Sequence, residues 1–329
     1  MDFRTQVIIP KSNFSIDHST KMMLLGSCFS ENIGVKLLRN KFQVKVNPFG
    51  IVYNPLSVAS VVKRVLSNNN FDETDLVFHN DVYQSFLHHG VFSHPDKSIC
   101  LKNISESFVN AAEFIRKTDI FLITFGTAYV YKLKSTEEIV GNCHKFPSDT
   151  FTRERLSVEE IVDEWEEIIK TVLSINPDTK FIFTISPIRH WKDGAHENQI
   201  SKSILHLAID NLQKKFALSL SYFPAFEILL DELRDYRFFA DDMMHPSSVA
   251  IDYIWERFCE TYFSEKTIII NSEWERISQS LNHRPLNEQT ENYHRFLEQT
   301  LQKLTVFQNN HPQINCTQEI EELTEKITK

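Results

Sequence analysis

One acid–base pair in the sequence has a spacing that suits hydrolytic catalysis. Asp242 lies three residues before His245, and Pro246 keeps the intervening turn from continuing as a helix. The carboxylate can therefore hold one imidazole nitrogen and leave the other facing a nucleophile. Asp242 is the candidate orienting residue and His245 the candidate general base. The spacing alone is a weak signal, because 13 histidines and 44 acidic residues make it common by chance.

Two candidate nucleophiles, Ser27 and Cys28, follow a short apolar run, residues 22–25, that ends at Gly26. This run predicts a strand, and a helical pattern follows it. A helix N-terminus offers free backbone N–H groups and a positive dipole, which stabilise an oxyanion and lower the pKa of a cysteine. The ordinary alternatives are a helix cap for Ser27 and a buried packing residue for Cys28.

Arg189 and His190 come directly after another predicted strand, at the edge of the sheet where open α/β proteins bind ligands. A guanidinium there can bind a carboxylate or a sugar hydroxyl, and the neighbouring Trp191 can stack on a sugar ring. The alternative for these residues is a surface loop that caps the strand.

Metal and cofactor sites are not predicted. His88, His89 and His94 with Asp96 occupy a loop-like segment and lack the paired spacing of metal ligands. The seven glycines fit neither of the loops that cradle nucleotide phosphates. The five cysteines are odd in number and contain no C-x-x-C pair, which argues against a disulfide framework or a zinc site.

Strands and helices alternate along the first 265 residues, which predicts an α/β fold with a mainly parallel sheet and helices on both faces. The predicted strands are 22–25, 42–46, 120–125 and 180–185, with 129–133 as a hairpin arm. The predicted helices run from an N-cap at Ser30 to Arg39, over 58–66, from a capping box at Ser157 and Glu160 to about 175, and over 201–220.

The chain after residue 265 has helical spacing and many polar residues. We therefore divide it into a sheet domain, 1–265, and a helical extension with a polar tail, 266–329. Packing of the extension against the sheet domain is favoured. A lid over the site and a partner interface, such as a homodimer through the C-terminal helices, are the alternatives.

Charge and hydropathy limit the partners. A net charge of −9 over 329 residues repels phosphate backbones, which argues against nucleic acid. No stretch approaches 18 apolar residues, and the N-terminus lacks a signal-peptide core. We expect a cytoplasmic protein without a membrane span.

Residues 24–34, LLGSCFSENIG, resemble the signature of the GSCFA family, which is related to the SGNH (GDSL-type) hydrolases. Five further blocks resemble the family in its order, and the similarity covers about residues 1–265. The resemblance implies a three-layer α/β/α fold with a flavodoxin-like sheet. These blocks are residues 47–55, 124–128, 142–145, 186–190 and 236–246.

The resemblance places the nucleophile two positions after the first-block glycine, at Cys28, where SGNH relatives have serine. Ser27 remains the second candidate. Asp242 and His245 match the family's D-x-x-H block as orienting residue and general base.

Oxyanion stabilisation is only partly provided by the family pattern. Gly50 matches the second-block glycine, which donates its backbone N–H. The third-block asparagine, expected two residues after Gly126, is Ala128 in this chain. The Thr127 hydroxyl and the Asn142 amide are the candidates to replace it, and each is alternatively an ordinary turn residue.

Together these features predict an esterase, or an acyltransferase, that acts without a cofactor on an ester of a polar, carbohydrate-like substrate through an acyl-enzyme. The alternative is a catalytically inactive SGNH-fold binding or accessory protein in polysaccharide or cell-envelope metabolism, which Ala128 and the unsettled nucleophile favour.

Overall fold

The structure is a computed structural model that describes residues 4–287 and 289–328. Its strands are β1 (Lys21–Gly26), β2 (Gln43–Val46), β3 (Val77–His79), β4 (Val82–Gln84), β5 (Ile120–Phe125), β6 (Tyr129–Leu133), β7 (Ile139–Val140), β8 (Phe151–Arg155), β9 (Lys180–Ile185) and β10 (Leu220–Phe223). Its helices are α1 (Cys28–Arg39), α2 (Pro55–Leu66), α3 (Lys97–Ile115), α4 (Val158–Ile175), α5 (Gly194–Lys215), α6 (Ala225–Glu227), α7 (Ser248–Tyr262), α8 (Glu265–Leu281), α9 (Glu291–Asn310) and α10 (Thr317–Thr328).

Five parallel strands form the central sheet in the order β10-β9-β5-β1-β2. This is the flavodoxin-like order, so the prediction of a mainly parallel α/β fold is confirmed. The chain leaves β1 toward β2 and later returns to β5 on the other side of β1. The carboxyl ends of β1 and β5 therefore flank the point where the strand order reverses, which is where such sheets bind ligands.

Alternate residues of each central strand face opposite helical layers. Met23 and Leu25 of β1 join the hydrophobic cluster formed with α2, α3, α4 and α5. Met22 and Leu24 pack on the other face against α1 and α7. Burial on both faces explains why the inner strands β1, β5 and β9 are mostly continuous apolar runs.

An antiparallel sheet, β7-β6-β8, stands beside the carboxyl edge of the central sheet. The hairpin arm predicted at 129–133 is its central strand. The helix predicted from Ser157 is α4, and Ser157 and Glu160 make the expected reciprocal capping box.

Two predicted helix starts were wrong. The N-cap of α1 is Ser27, and Ser30 lies inside the helix, where its hydroxyl donates to Thr124 Oγ1 at 2.7 Å. The predicted helix 201–220 is α5, which begins at Gly194 and ends at Lys215. The buried face of its first turns carries polar residues, so the apolar periodicity that predicts a helix is absent there.

Several elements were not predicted: β3, β4, β7, β8, β10, α3, α6 and α7. Two of them, β10 and α3, have a clear physical reason. β10 has four residues at the edge of the sheet, and the helix predicted through residue 220 ran into it. α3 has nineteen residues, but only five of them are buried, so its apolar stripe is sparse.

Helices α8, α9 and α10 share a hydrophobic cluster of their own. They attach to the end of α1 that is remote from the carboxyl edge of the sheet. Trp274 Nε1 donates to the carbonyl of Arg39 at 2.7 Å, and Lys41 makes an ion pair with Glu319. Of the alternatives for the extension, packing against the sheet domain is the one that the structure has.

Candidate functional site

A cavity of about 540 Å³ lies at the carboxyl edge of the central sheet. The loops after β1, β5 and β9 meet there with the loop that precedes α7, and the β7-β6-β8 sheet forms one wall. Residues from 27 to 245 line it, and among the described residues none of the C-terminal helices reaches it. The volume is in the range of sites that hold a small ligand.

The turn after β1 is held in a conformation that only glycine accepts easily. Gly26 has φ +133°, and a Cβ there would lie 2.1 Å from the carbonyl oxygen of Thr124. Its N–H donates to Asn47 Oδ1 at 2.9 Å, which ties β1 to the end of β2. The strand can therefore pass directly into α1, and Ser27 and Cys28 come to the cavity edge.

Ser27 and Cys28 have different surroundings although both line the cavity. The Ser27 hydroxyl caps α1 by accepting the N–H of Phe29 at 3.3 Å, and the residue is 1% exposed. Cys28 is half-buried with a free thiol. The cap identified as the ordinary alternative for Ser27 is thus present, and Cys28 is the more accessible of the two.

Burial raises the pKa of the Cys28 thiol above its ordinary value. Its own N–H and that of Phe29 lower the pKa, as expected at a helix N-terminus, and the charge of Lys202 acts in the same direction. These contributions are outweighed by loss of solvent, to which the negative charge of Glu31 adds, so the prediction of a lowered thiol pKa was wrong. A base is needed to ionise this thiol at neutral pH.

Asp242 and His245 form the predicted pair. The imidazole Nδ1 lies 2.5 Å from Asp242 Oδ2, while Asp242 Oδ1 accepts the backbone N–H groups of His245 at 2.9 Å and Met244 at 3.0 Å. These two N–H groups, followed by the imidazole, lower the pKa of Asp242 to about 2. The carboxylate stays ionised and leaves Nε2 of His245 free for proton transfer.

A short irregular turn presents the histidine. The N–H of Ala240 donates to the carbonyl of His245 at 2.7 Å, and Met243 has φ +59°. His245 lines the cavity together with Cys28, yet no hydrogen bond joins its ring to Ser27 or Cys28 among the described contacts. The structure thus brings the candidate base and the candidate nucleophile to one cavity without a hydrogen bond between them.

The predicted oxyanion donors do not all reach the cavity. Gly50 does not line it, and its N–H donates to the carbonyl of Asn47 at 2.7 Å. Thr127 lines it, but its hydroxyl is engaged with Ser201 Oγ at 3.2 Å. Asn142 lines it as well, and its Oδ1 accepts the N–H of His144 at 2.9 Å. The Nδ2 group of Asn142 has no hydrogen-bond partner among the described residues, so it is the donor with free capacity.

Arg189, His190 and Trp191 all line the cavity, as their position after β9 predicted. Burial, with the charge of Lys202 as the next cause, lowers the pKa of His190 to about 4, so this imidazole is neutral at pH 7. Its ring packs edge-on against Tyr53 with centroids 5.8 Å apart.

Lys202 is the functional candidate that the sequence interpretation missed. Its side chain is fully buried, and Nζ donates to the carbonyls of Gly126 and Ser186, each at 2.7 Å. These carbonyls follow β5 and β9, so α5 braces the two loops from beneath. Burial lowers the pKa of Lys202 to about 7, and the nearby Arg189 acts in the same direction.

A signal for Lys202 exists in the sequence. It lies on the buried face of α5, three to four residues from Asn198 and Leu205. Asn198 Oδ1 accepts the N–H of His190 at 2.9 Å, and Ser201 Oγ accepts the N–H of Ala128 at 2.8 Å. Polar residues at helical spacing on an inward face indicate such a brace.

The histidines near residue 90 are not grouped around a metal position. His88 stacks on Phe49 with ring centroids 4.6 Å apart, and His94 Nδ1 accepts the N–H of Asp96 at 2.9 Å. Within residues 4–287 and 289–328, no three His, Cys, Asp or Glu side chains are placed to share a metal ion. No helix in the same ranges is long and apolar enough to cross a bilayer.

An open parallel sheet whose strand order reverses between β1 and β5, with helices on both faces, defines a doubly wound α/β protein. The chain belongs to the GSCFA family, which matches residues 21–258, and the C-terminal domain of GSCFA domain proteins matches residues 274–329. No curated protein sequence matches the chain significantly.

Several solved structures are similar to this chain at low sequence identity. An acetyl xylan esterase from Butyrivibrio proteoclasticus is 10% identical, with 73% of this chain and 63% of that chain covered and a TM-score of 0.38. Family 3 carbohydrate esterases from Talaromyces cellulolyticus and Clostridium thermocellum are each 10% identical over 77% of this chain, covering 99% and 97% of theirs, with TM-scores of 0.34 and 0.32. At these values the likenesses transfer neither substrate nor site residues.

Proposed function

We propose that this protein is an acyl hydrolase or acyltransferase that acts on an ester of a polar, carbohydrate-like substrate through an acyl-enzyme. The shared cavity carries the proposal, because it holds a half-buried thiol at a helix N-terminus and an Asp-oriented imidazole. Cys28 is the nucleophile, His245 the base and Asp242 its orienting partner.

The reaction needs only groups that this chain provides and water. Nε2 of His245 takes the proton of the Cys28 thiol, and the sulfur attacks the ester carbonyl. The tetrahedral oxyanion is stabilised by the N–H of Cys28 and by Nδ2 of Asn142. The alcohol leaves with the proton from His245, and water or an acceptor hydroxyl then attacks the thioester and returns a proton to the thiol.

Aromatic side chains support a carbohydrate-like substrate. Tyr53, Tyr129, Tyr131 and Trp191 line the cavity, and Trp191 is 48% exposed. Aromatic faces and hydrogen-bonding groups together match the apolar and polar faces of a sugar ring. Acetylated monosaccharides are therefore the first substrates to test.

The experiment combines turnover with mass-spectrometric mapping of thiol alkylation. We expect Cys28→Ala and His245→Gln to lower acetyl-ester hydrolysis by on the order of 10²-fold or more. Cys143→Ala is the matched control, because this second free thiol lines the same cavity. A fluorophosphonate that labels Ser27, with loss of activity in Ser27→Ala and not in Cys28→Ala, would assign the nucleophile to Ser27.

The alternative function is a carbohydrate-binding or accessory protein without turnover. It is favoured by the absence of a hydrogen bond between His245 and Cys28 among the described contacts, and by the raised pKa of the thiol. Sugar binding by the wild-type chain, without hydrolysis and without His245-dependent alkylation of Cys28, would establish it.

A further inference from the structure

The charge of the cavity differs from that of the chain. The lining residues include the cations Arg153, Arg189 and Lys192, and Asp193 is the one acid among the described residues that line it. The lining residues thus carry a net of two positive charges in a protein of net charge −9, and a net of one remains when Asp242, which holds His245, is counted. A local excess of this sign in a concave site attracts anionic ligands.

Two of the three cations already have partners. Arg153 makes an ion pair with Asp193, which is nearly buried, and its guanidinium lies 3.9 Å from the ring centroid of Tyr129. Lys192 Nζ donates to the hydroxyl of Tyr131 at 2.9 Å. Both interactions fix the position of the cation at the wall formed by the β7-β6-β8 sheet.

Arg189 has no such partner. It is half-buried and lines the cavity, and within the described chain its guanidinium makes no ion pair or hydrogen bond. Fully buried Lys202 lies close enough to be influenced by the charges of both Arg189 and Cys28. A partly desolvated guanidinium with all its donors free, in the cavity that Cys28 also lines, is suited to bidentate binding of a carboxylate or phosphate.

We infer that the ligand of this cavity carries an anionic group, a carboxylate or a phosphate, and that Arg189 binds it. This inference deepens the proposed function. The reaction that it assigns to the anionic ligand rests on that proposal, whereas the binding of the anion by Arg189 does not. Under it, the substrate is an ester of an acidic sugar or a sugar phosphate, and Arg189 determines specificity for it. Trp191 and the tyrosines then contact the sugar ring.

The test uses two small reagents of similar shape and different charge. Iodoacetate is an anion and iodoacetamide is neutral, and both alkylate thiols. We expect the iodoacetate-to-iodoacetamide rate ratio at Cys28 to exceed that of N-acetylcysteine by on the order of tenfold. Arg189→Gln should abolish most of this excess, and Arg189→Lys should retain part of it.

Arg116→Gln is the control, because Arg116 is exposed at the end of α3 and does not line the cavity. A ratio at Cys28 equal to that of N-acetylcysteine, or an excess that Arg189→Gln leaves intact, overturns the inference. The same measurement does not depend on turnover, since alkylation requires only an accessible thiol.

Ligand-induced stabilisation gives an independent readout. Glucuronate or glucose 6-phosphate should raise the Tm of the wild-type protein more than glucose does, and Arg189→Gln should remove the difference. The stronger of the two anions identifies carboxylate or phosphate as the recognised group. Equal effects of all three sugars overturn the inference. Arg189-dependent binding without hydrolysis of the acetylated sugars refutes the proposed reaction alone.

Discussion

At the scale of single residues, one short turn of chain fixes the orientation of both Asp242 and His245. One carboxylate oxygen accepts two backbone N–H groups and so fixes its own position, and the other holds the imidazole. The pair is half-exposed, so its importance lies in orientation more than in the strength of the ion pair. The side-chain rotamer of His245 is thereby set before any ligand binds.

Asp242→Asn should leave the turn intact and lower kcat by on the order of 10²–10⁴-fold, because an amide presented to Nδ1 stabilises the wrong imidazole tautomer. Asp242 stays ionised down to about pH 2, so protonation of this carboxylate should not limit activity above about pH 3. Steady-state kinetics over pH 3–9 measures both. Asp241→Asn, at the exposed neighbouring position, is the control. Unchanged kcat in Asp242→Asn would remove the pair from the mechanism.

His88 is a buried histidine that the proposed reaction does not use. Its ring packs among Phe49, Phe71 and Phe92, and neither ring nitrogen has a hydrogen-bond partner among the described residues. Burial lowers its pKa to about 3 from an ordinary value of 6.5. Between those two pH values the unfolded chain binds a proton that the folded chain does not.

The free energy of unfolding should therefore decrease as the pH falls from 6.5 toward 3. In His88→Leu we expect this decrease to be smaller by on the order of 1–3 kcal/mol, since one pKa unit corresponds to about 1.4 kcal/mol. Urea unfolding at several pH values measures it. His294→Leu, at an exposed position on α9, should follow the wild-type profile. An unchanged profile in His88→Leu would show that the acid sensitivity lies elsewhere.

Helix α5 organises the site at the scale of secondary-structure elements. Asn198, Ser201 and Lys202 on its inward face bind the backbone of the loops that follow β5 and β9. Residue 128 is an alanine where the family pattern has an asparagine that stabilises the oxyanion. The backbone N–H of Ala128 donates to Ser201 Oγ, and this hydrogen bond holds the loop in position. Both loops are thus held in position by a rigid helix.

Lys202→Met should leave the carbonyls of Gly126 and Ser186 without a donor and lower the free energy of unfolding by on the order of 1–3 kcal/mol at pH 9, where the lysine it replaces is mostly neutral. Because the pKa of Lys202 is lowered in the folded chain, the unfolded chain binds one proton more than the folded chain between about pH 7 and 10.5. Stability from this group therefore rises with pH across that window, and the rise should be missing in the variant.

Denaturant unfolding at pH 7, 8 and 9 measures the difference between wild type and Lys202→Met. Lys214→Met on the same helix is the control, because Lys214 is exposed and pairs only with Asp210 among the described contacts. A difference that does not change with pH would mean that Lys202 is charged throughout and acts as a fixed brace.

At the scale of the whole molecule, the site and the C-terminal helices lie at opposite ends of α1. Cys28 begins this helix at the cavity, and Arg39 ends it at the contact with Trp274. Twelve residues of α-helix span about 18 Å. The extension therefore stabilises the sheet domain from the end remote from the cavity and leaves the cavity mouth uncovered by its described residues.

Trp274→Ala removes a buried indole, its hydrogen bond to Arg39 and its contact with Lys41. We expect a loss of about 3–5 kcal/mol in the free energy of unfolding of the extension and faster proteolysis of α9 and α10, with kcat/KM unchanged within twofold. Limited proteolysis and kinetics on the same sample test this. A large loss of kcat/KM in a folded variant would show that the extension acts on the site after all.

Light scattering of the wild-type protein and of Trp274→Ala tests the homodimer proposed through these helices.

The sequence by itself determined four of the five central strands and the contact between Asp242 and His245. Buried parallel strands are continuous apolar runs, and the spacing of Asp242 and His245 with Pro246 defines a local turn, so both are encoded within a few neighbouring residues. Contacts between distant segments were decided only by the tertiary structure. They bury Cys28 and raise its pKa, and they place Lys202 beneath two loops. Desolvation and hydrogen-bond partners depend on which elements pack together, and residue order along one element does not contain that information.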